Sequence, residues 1–272
     1  MKSVDKGVVL ITGAASGIGE ATARLFSERG ASVVLADLNY SACVSLSEVL
    51  PRSAAVEMDV TNEEEMRAGV DLALTRFGRV DCLVNNAGIV GAVGAITQTT
   101  YADWRLTMDA LVDGVFFGIK HAAQPMIAQG SGCILNVASV AGLRGGLGPH
   151  AYTAAKHAVV GLTRSAGSEL ARHNIRVNAV APGATATPLL QPSRFGGRKE
   201  VEGYSAKSSP LGKTIFSVDV AEALYFLASD VAKNITGQVL AIDGGRSEFA
   251  PGCLSFHAEK ADFVAMVRTP DD

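Results

Sequence analysis

The sequence predicts an α/β fold in which one parallel sheet is covered by helices on both faces. Continuous apolar runs, such as residues 7–11 and 32–36, are typical of strands buried on both sides. Segments with helical periodicity separate these runs along the chain. The alternation favours parallel pairing through right-handed crossovers, and it places a ligand at the carboxyl ends of the strands.

The elements follow one another in a regular order. We predict strands at residues 7–11, 32–36, 54–58, 80–84, 133–138, 174–180 and 237–242. Helical patterns cover residues 20–29, 100–129, 151–170 and 218–229, and a further helix begins at a capping box over residues 61–64. Gly30 is predicted to cap the first helix at its C-terminus.

Composition limits the possible functions. The chain has 272 residues, of which 48% are hydrophobic, and a formal net charge of −3. This length suits one domain with a sizeable core, and the mixed charges give no basic surface for nucleic acid. We find no signal peptide and no membrane-spanning run, so we expect a soluble, cytoplasmic protein with no membrane partner. Its four cysteines lie far apart, which argues against a disulfide framework and against a metal site.

A glycine-rich turn joins the first strand to the first helix. Gly13, Gly17 and Gly19 would let the backbone approach a pyrophosphate at the positive end of that helix. Asp37 ends the next strand, where a carboxylate accepts hydrogen bonds from a ribose and repels a 2′-phosphate. Since Leu38 supplies no cation, the pattern favours NAD over NADP. A turn without a ligand is the alternative for the glycines, and a helix cap is the alternative for Asp37.

A second group of residues has the character of a proton-transfer site. Tyr152 and Lys156 are four positions apart on a predicted helix, so they share one stripe, which we expect to be exposed. A nearby cation lowers the pKa of a phenol and makes it a better base near neutral pH. Ser139 follows the strand predicted at residues 133–138 and would bring a hydroxyl to the same edge of the sheet. Taken alone, the Tyr–Lys pair is more typical of a solvated helix surface.

These motifs together resemble the short-chain dehydrogenase/reductase family. The resemblance rests on the glycine turn at residues 12–19, the Asn-Asn-Ala-Gly run at 85–88, the Tyr152/Lys156 pair and a Pro-Gly turn at 182–183, and it spans about residues 6–245. It implies a single-domain, Rossmann-like, doubly wound sheet of seven strands. It also implies an NAD-dependent oxidoreductase that interconverts a secondary alcohol and a ketone.

The resemblance assigns roles to individual residues. Tyr152 would be the general base, Ser139 would hold the substrate oxygen, and Lys156 would lower the tyrosine pKa and bind the nicotinamide ribose. Asp59 and Val60 would line the adenine pocket, while the run at 85–88 would both brace the sheet and flank the cofactor. The full implied cofactor set is Gly13, Ser16, Gly17, Ile18, Gly19, Asp37, Leu38, Asp59, Val60, Asn86, Ala87, Gly88, Tyr152, Lys156, Pro182, Gly183, Thr185 and Thr187.

The family pattern also divides the chain and predicts its assembly. Residues 1–245 would form the dehydrogenase domain, with a substrate lid at about 189–215 and a glycine hinge at 196–197. Residues 246–272 form a C-terminal extension with apolar side chains, for which we expect either packing over an active-site mouth or a disordered tail. The resemblance implies a homotetramer or homodimer assembled through the helix at 151–170 and the helix before it.

The chain departs from the family at one position. Leu111 stands where relatives carry an asparagine that supports a water beside the lysine, and Thr107 is a possible polar substitute one turn earlier. Two alternatives therefore stay open: an NADPH-dependent ketoreductase, and a cofactor-binding protein with impaired catalysis. The loop residues Val90, Val93, Leu143 and Leu147 favour a hydrophobic, cyclic substrate. Arg144 would meet an anionic substrate or be solvated.

Overall fold

The computed structural model describes residues 4–190 and 197–248. Seven parallel strands form one sheet in the order β3-β2-β1-β4-β5-β6-β9. Their bounds are β1 Val8–Thr12, β2 Ser32–Asp37, β3 Ser53–Glu57, β4 Cys82–Asn85, β5 Gly132–Val137, β6 Ile175–Pro182 and β9 Val239–Ile242. A separate short pair consists of β7 Thr185–Ala186 and β8 Ile215–Phe216. The predicted doubly wound sheet of seven strands is confirmed.

Helices cover both faces of this sheet. They are α1 Gly17–Glu28, α2 Tyr40–Val49, α3 Glu63–Phe77, α4 Tyr101–Met108, α5 Gly114–Gln129, α6 His150–Leu170, α7 Arg198–Ser208 and α8 Ser217–Ala228. Apolar side chains of α3, α5 and α6 pack on one face, and those of α1, α2 and α8 pack on the other. Helices therefore bury both faces of the sheet, which explains why its central strands are continuous apolar runs in the sequence.

The strand order reverses between β1 and β4. From β1 the chain moves outward through β2 and β3, and it then returns to place β4 on the other side of β1. The loops after β1 and β4 diverge at this point and leave a crevice at the carboxyl ends of the strands. The glycine turn and the run at 85–88 both border this crevice.

One predicted helix is interrupted. The pattern at residues 100–129 forms α4 and α5 separated by a π-helical segment at Asp109–Asp113. Each π turn contains an extra residue and widens the helix, and such turns are frequent at functional sites. Leu111 lies in this segment with its side chain fully buried. Periodicity of 3.6 residues does not reveal a single widened turn, so the sequence predicted one continuous helix.

The predicted capping box at residues 61–64 is wrong by one residue. Asn62 is the N-cap of α3, and its side chain accepts from the amide of Glu64. Thr61 instead donates to Asp59, through its amide at 2.9 Å and its hydroxyl at 2.8 Å. Both residues suit a helix start, but the chain turns so that only Asn62 faces the free amides. Asp59, for which the family resemblance implies a place in the adenine pocket, therefore also stabilises this turn.

Other sequence expectations have mixed outcomes. Cys82 and Cys133 are buried in the core, as predicted, and Cys43 is buried with them. Gly196 of the predicted hinge and residues 249–272 of the extension lie outside the described residues. Across the two described ranges, the helices are too short or too polar for any of them to span a membrane.

Candidate active site

The glycine turn leaves room for a ligand at the start of α1. Gly13 has a φ of +66°, and a Cβ atom there would lie 2.8 Å from the Cα of Ala87. A Cβ atom on Gly19 would overlap the carbonyl oxygen of Gly13. At Gly17, by contrast, the nearest neighbour of such an atom is the side chain of Thr187, at 3.5 Å. Gly13 and Gly19 are therefore required by close contacts within the turn, whereas a Cβ atom at Gly17 would make only ordinary van der Waals contact with Thr187.

Asn86 holds the glycine turn in place. Its side-chain amide donates to the carbonyl oxygens of Thr12, at 2.9 Å, and Gly13, at 3.0 Å. In return, the Thr12 hydroxyl accepts from the backbone amides of Asn86 and Ala87. The run at 85–88 therefore braces the turn from the opposite side of the crevice.

Asp37 points its carboxylate towards the same turn. One oxygen accepts from the Ala15 amide at 3.0 Å, and the other accepts from the Asn39 amide at 2.9 Å. The N-cap of α2 is Asn39, which accepts from Ala42, so Asp37 is not the helix cap. Leu38 is 68% exposed beside it. The structure thus places Asp37 and Leu38 at the outer end of the crevice, next to the glycine turn.

The remaining residues predicted to contact the cofactor lie around the crevice or pack inward from it. Thr187 approaches Gly17 from the far side. Thr185 is buried and donates its hydroxyl to the carbonyl of Gly183, so its backbone is the part available to a ligand. Val60 packs against the core near the start of α5. Ser16 is the N-cap of α1, and its side chain makes no capping bond.

Ser139 and Tyr152 meet at the carboxyl end of β5. The Ser139 hydroxyl is near enough to the Tyr152 hydroxyl to favour its ionised form, which lowers the tyrosine pKa against the effect of burial. Ser139 begins a short 3-10 turn, and its hydroxyl accepts from the amide of Ala141 at 3.1 Å. Gly148, in the loop before α6, lies against the tyrosine ring, since a Cβ atom there would be 3.1 Å from Cδ1. The two hydroxyls are therefore held together by the strand end, the loop and α6.

Lys156 lies next to this pair but is not exposed. Only 4% of its surface reaches solvent, and Tyr152 is half-buried. The ammonium donates to the carbonyl oxygen of Val137 at 2.7 Å and lies 5.6 Å from the centre of the tyrosine ring. The prediction of an exposed Tyr–Lys stripe is therefore wrong. This stripe of α6 faces the end of β5. A spacing of four residues shows that two side chains share a face of a helix, but not whether that face is buried or exposed.

Burial changes the acid–base properties of both side chains. It raises the pKa of Tyr152, although the hydrogen bond with Ser139 opposes this rise. It also lowers the pKa of Lys156 from 10.5 to about 8. The expected lowering of the tyrosine pKa by Lys156 is therefore not seen in the protein alone. Removal from water outweighs the opposing effect of Ser139, and Lys156 does not contribute to the shift.

Leu111 and Lys156 lie against the same residue. A Cβ atom on Gly88 would lie 3.0 Å from Cδ2 of Leu111 and 4.0 Å from the ammonium of Lys156. Thr107 does not replace the missing asparagine, because its hydroxyl donates to Asp103 and accepts from the amide of Ala92. An apolar side chain thus occupies the position where the family resemblance implies an amide.

Two features of the site were not predicted from the sequence. One is the bond from Lys156 to the carbonyl of Val137. Every residue has a backbone carbonyl, so the residue types along the chain do not show which one is the partner. The other is the buried carboxylate of Asp243, which orders the turn after β9. The sequence Asp243-Gly244-Gly245 at the end of a predicted strand could have indicated that turn.

The residues present fit a dinucleotide cofactor. The first turn of α1 has backbone amides without partners in the helix, and helix N-termini favour phosphate groups. The Asp37 carboxylate ends the neighbouring strand and is bonded to the Ala15 amide of the same turn, which suits an acid that binds a ribose next to a pyrophosphate. The Ser139–Tyr152 pair borders the other half of the same crevice. The chain would therefore hold an extended ligand that reaches from the glycine turn and Asp37 at one end to the Ser139–Tyr152 pair at the other.

Comparison with known proteins identifies the family. A family model described as enoyl-(acyl carrier protein) reductase matches residues 13–247. The chain belongs to the short-chain dehydrogenase/reductase family. Borneol dehydrogenase, mitochondrial, from Lavandula x intermedia is 41% identical over 94% of this chain and 96% of its own length. Cis-4-hydroxycyclohexanecarboxylate dehydrogenase from Sinomonas cyclohexanicum is 43% identical over 88% of this chain and 95% of its own length.

Solved structures agree with this assignment. The crystal structure of a 3-ketoacyl-(acyl-carrier-protein) reductase from Brucella melitensis in complex with NADH has a TM-score of 0.82 and 36% identity. The match covers 89% of this chain and 98% of that one. This short-chain dehydrogenase/reductase is therefore an oxidoreductase that acts on CH–OH groups and uses a nicotinamide cofactor.

Proposed function

We propose that this enzyme interconverts a secondary alcohol and a ketone with NAD as the cofactor, on a hydrophobic cyclic substrate. The observation that carries the proposal is the convergence of Ser139, Tyr152 and Lys156 at the carboxyl end of β5, where the ammonium of Lys156 is bonded to Val137 and lies 5.6 Å from the tyrosine ring centre. It brings two hydroxyl groups to the crevice that the glycine turn borders. A substrate oxygen that contacts both would stand beside the cofactor site.

The roles of the three side chains follow from their positions. In the oxidation direction, the Tyr152 oxygen takes the proton of the substrate hydroxyl, and in reduction it returns that proton. Ser139 donates to the substrate oxygen and fixes its orientation. Lys156, anchored by Val137, keeps a positive charge beside the ring when it is protonated. When bound, the nicotinamide accepts hydride from the substrate carbon in oxidation and supplies it in reduction.

Asp37 supports the preference for NAD over NADP. Its carboxylate already accepts two backbone hydrogen bonds, from Ala15 and Asn39, which fix it beside the glycine turn. A 2′-phosphate brought to the same place would meet this negative charge and the apolar side chain of Leu38. The structural relative in complex with NADH is consistent with this choice.

Apolar side chains at the cleft support a hydrophobic substrate. Val93, which is 60% exposed, lies in the loop after β4, with the half-buried Val90 in the same loop. Leu147 is half-buried in the loop that contacts Tyr152, whereas Leu143 packs against the core and is a weaker candidate. Two relatives are named for borneol and for a hydroxycyclohexane acid. Borneol and cis-4-hydroxycyclohexanecarboxylate therefore belong in a first panel of test substrates.

Assembly, lid and location are proposals of the same kind. Exposed apolar side chains on α4 and α5, including Tyr101, Leu106 and Phe116, support a homotetramer or homodimer formed through α5 and α6. The segment at about 189–215, which includes α7, is proposed as the substrate lid of the domain at 1–245. We propose a cytoplasmic location.

The decisive experiment replaces Tyr152 by phenylalanine. Oxidation of borneol, cis-4-hydroxycyclohexanecarboxylate and simple cyclic alcohols is followed through absorbance of the reduced nicotinamide, with NAD and with NADP. The wild-type enzyme should reduce NAD, and Tyr152→Phe should lose at least about 10³-fold in kcat because the proton acceptor is gone. Calorimetric binding of NAD should stay within about twofold, since the ring remains. Turnover retained by this variant would refute the assignment.

The same assay separates the alternatives. Faster turnover with NADP than with NAD would show an NADPH-dependent ketoreductase. Cofactor binding without turnover of any alcohol, or of the matching ketones, would indicate a protein that binds the cofactor but has lost catalysis.

A further inference from the structure

The turn that follows β9, at residues 243–247, is held by hydrogen bonds within itself and to two other segments. We call it the C-terminal turn. Asp243 is 6% exposed and accepts from the amides of Gly245, at 2.8 Å, and Ser247, at 2.7 Å. Burial opposes ionisation of this carboxyl group, but the hydrogen bonds from Ser247 and Gly245 outweigh it and lower its pKa. The turn therefore has a fixed shape at neutral pH.

One side of the C-terminal turn is bonded to the end of α7. Arg246 donates to the carbonyl oxygen of Ser208, the last residue of that helix, at 3.1 Å. The amide of Leu211 donates to the carbonyl of Gly244 at 3.1 Å. A Cβ atom on Gly244 would overlap the hydroxyl of Ser209, so the two segments are in direct contact. A cation at the C-terminus of a helix also interacts favourably with the helix dipole.

The other side of the turn is bonded to the loop between Ser139 and Tyr152. Arg144 donates to the carbonyl oxygen of Ser247 at 3.3 Å. This loop continues to Gly148, which lies against the ring of Tyr152. The turn also touches the Pro-Gly turn after β6, because a Cβ atom on Gly183 would be 3.0 Å from the Cα of Asp243. Three segments around the crevice therefore meet at one place.

We propose that the C-terminal turn sets the separation between the two walls of the substrate cleft. One wall is the end of α7, and the other is the loop between Ser139 and Tyr152. Arg144 and Arg246 are its positioning residues: each joins one wall to the same rigid turn. The location of the cleft rests on the function proposed above, whereas the mechanical coupling of the walls does not. Since α7 packs against β7 and β8, and β7 follows the Pro-Gly turn that touches Asp243, a shift of the end of α7 would move this whole wall relative to the loop that contacts Tyr152. The turn would thereby influence which substrates fit.

Hydrogen exchange measured by mass spectrometry tests the coupling without any substrate. Arg246→Gln should accelerate amide exchange about three- to tenfold in peptides covering 205–212, and also in peptides covering 143–149 on the opposite wall. Arg144→Gln should also accelerate exchange in both regions, with 143–149 as its own wall and 205–212 as the opposite wall. Arg24→Gln, which breaks an exposed ion pair on α1, is the control and should change neither. Acceleration confined to each variant's own wall would overturn the proposal.

Kinetics with the full-length enzyme test the consequence for substrate binding. For the best cyclic alcohol of the panel, both glutamine variants should raise KM about five- to tenfold, with kcat and the KM for NAD within twofold. Lysine at either position should restore part of the loss, because, unlike glutamine, it keeps the positive charge and the long reach of arginine. An equal fall of kcat for all substrates would overturn the positioning role. If the wild type oxidises no alcohol, the proposed function fails while the exchange result still decides the coupling.

Discussion

At the scale of single residues, burial decides the chemistry of the candidate site. Tyr152 and Lys156 have ordinary properties on a solvated helix, but the fold moves their pKa values in opposite directions. Lys156 keeps one polar anchor, the carbonyl of Val137, and lies near the apolar Leu111. A charged group placed in such surroundings depends strongly on every polar atom near it.

Replacing Leu111 by asparagine should therefore change the titration of Lys156. An amide oxygen near the ammonium would favour its charged form and raise its pKa above about 8. The alkaline limb of the kcat/KM profile should then move to higher pH. Leu111→Ala is the control, because it removes the apolar side chain without adding an acceptor. Identical profiles for the two variants would show that the amide has no effect on the lysine.

Cofactor choice is also decided by single side chains. Changing Asp37 to serine together with Leu38 to arginine removes one negative charge and adds a cation where a 2′-phosphate would lie. A charge contact of about 1–4 kcal/mol predicts that the ratio of kcat/KM for NAD over NADP falls by about 5- to 1000-fold. The measurement is the same absorbance assay with each cofactor. An unchanged ratio would mean that Asp37 does not face the adenosine ribose.

At the scale of elements, close contact between helices and the sheet controls the geometry of the crevice. Gly118 lies where α5 crosses the end of β4, and a Cβ atom there would overlap the side-chain oxygen of Asn85. Asn85 in turn donates to Asn136 at 2.9 Å on the next strand. A glycine in the middle of a helix is normally unfavourable, so its presence here reflects the contact.

Two helical glycines make a matched pair that tests this explanation. Gly118→Ala should lower the free energy of unfolding by at least about 2 kcal/mol, because Asn85 must move away from buried partners. Gly203→Ala on α7 has nothing within 4 Å of the new atom. It should raise the free energy of unfolding by about 0.5–1 kcal/mol. Urea denaturation of both variants gives the comparison, and equal effects would contradict the contact argument.

At the scale of the whole molecule, the active-site lysine affects stability. Its pKa is lower in the folded protein than in the unfolded chain, so the unfolded chain binds more protons between pH 8 and 10.5. The free energy of unfolding should therefore rise with pH through this window. The site thus lowers the stability of the cofactor-free protein at neutral pH.

Lys156→Met provides the test of this linkage. Relative to the variant, the wild type should gain up to about 3 kcal/mol between pH 7 and 10.5, with the gain starting near pH 8. Thermal or urea unfolding without cofactor at several pH values measures the difference. A constant difference between the two proteins across this range would show that the lysine is not destabilised by burial.

The sequence by itself determined the α/β architecture with a parallel sheet, because apolar runs alternate with helical patterns. The doubly wound order of seven strands and the candidate site residues followed from the motifs that resemble the family. Motifs such as the glycine turn and the Tyr152/Lys156 spacing depend on residue type and local geometry, which the sequence contains. For the same reason, the position of Asp37 at a strand end and the buried cysteines followed from pattern alone.

Only the tertiary structure decided how these residues behave. Packing turned Lys156 inward onto a carbonyl of another element, widened the helix around Leu111, and brought Arg144 and Arg246 to one turn. Such outcomes depend on contacts between segments far apart in the chain and on the exclusion of water, neither of which local spacing records. The chemistry of the crevice therefore follows from the fold, although its residues can be read from the sequence.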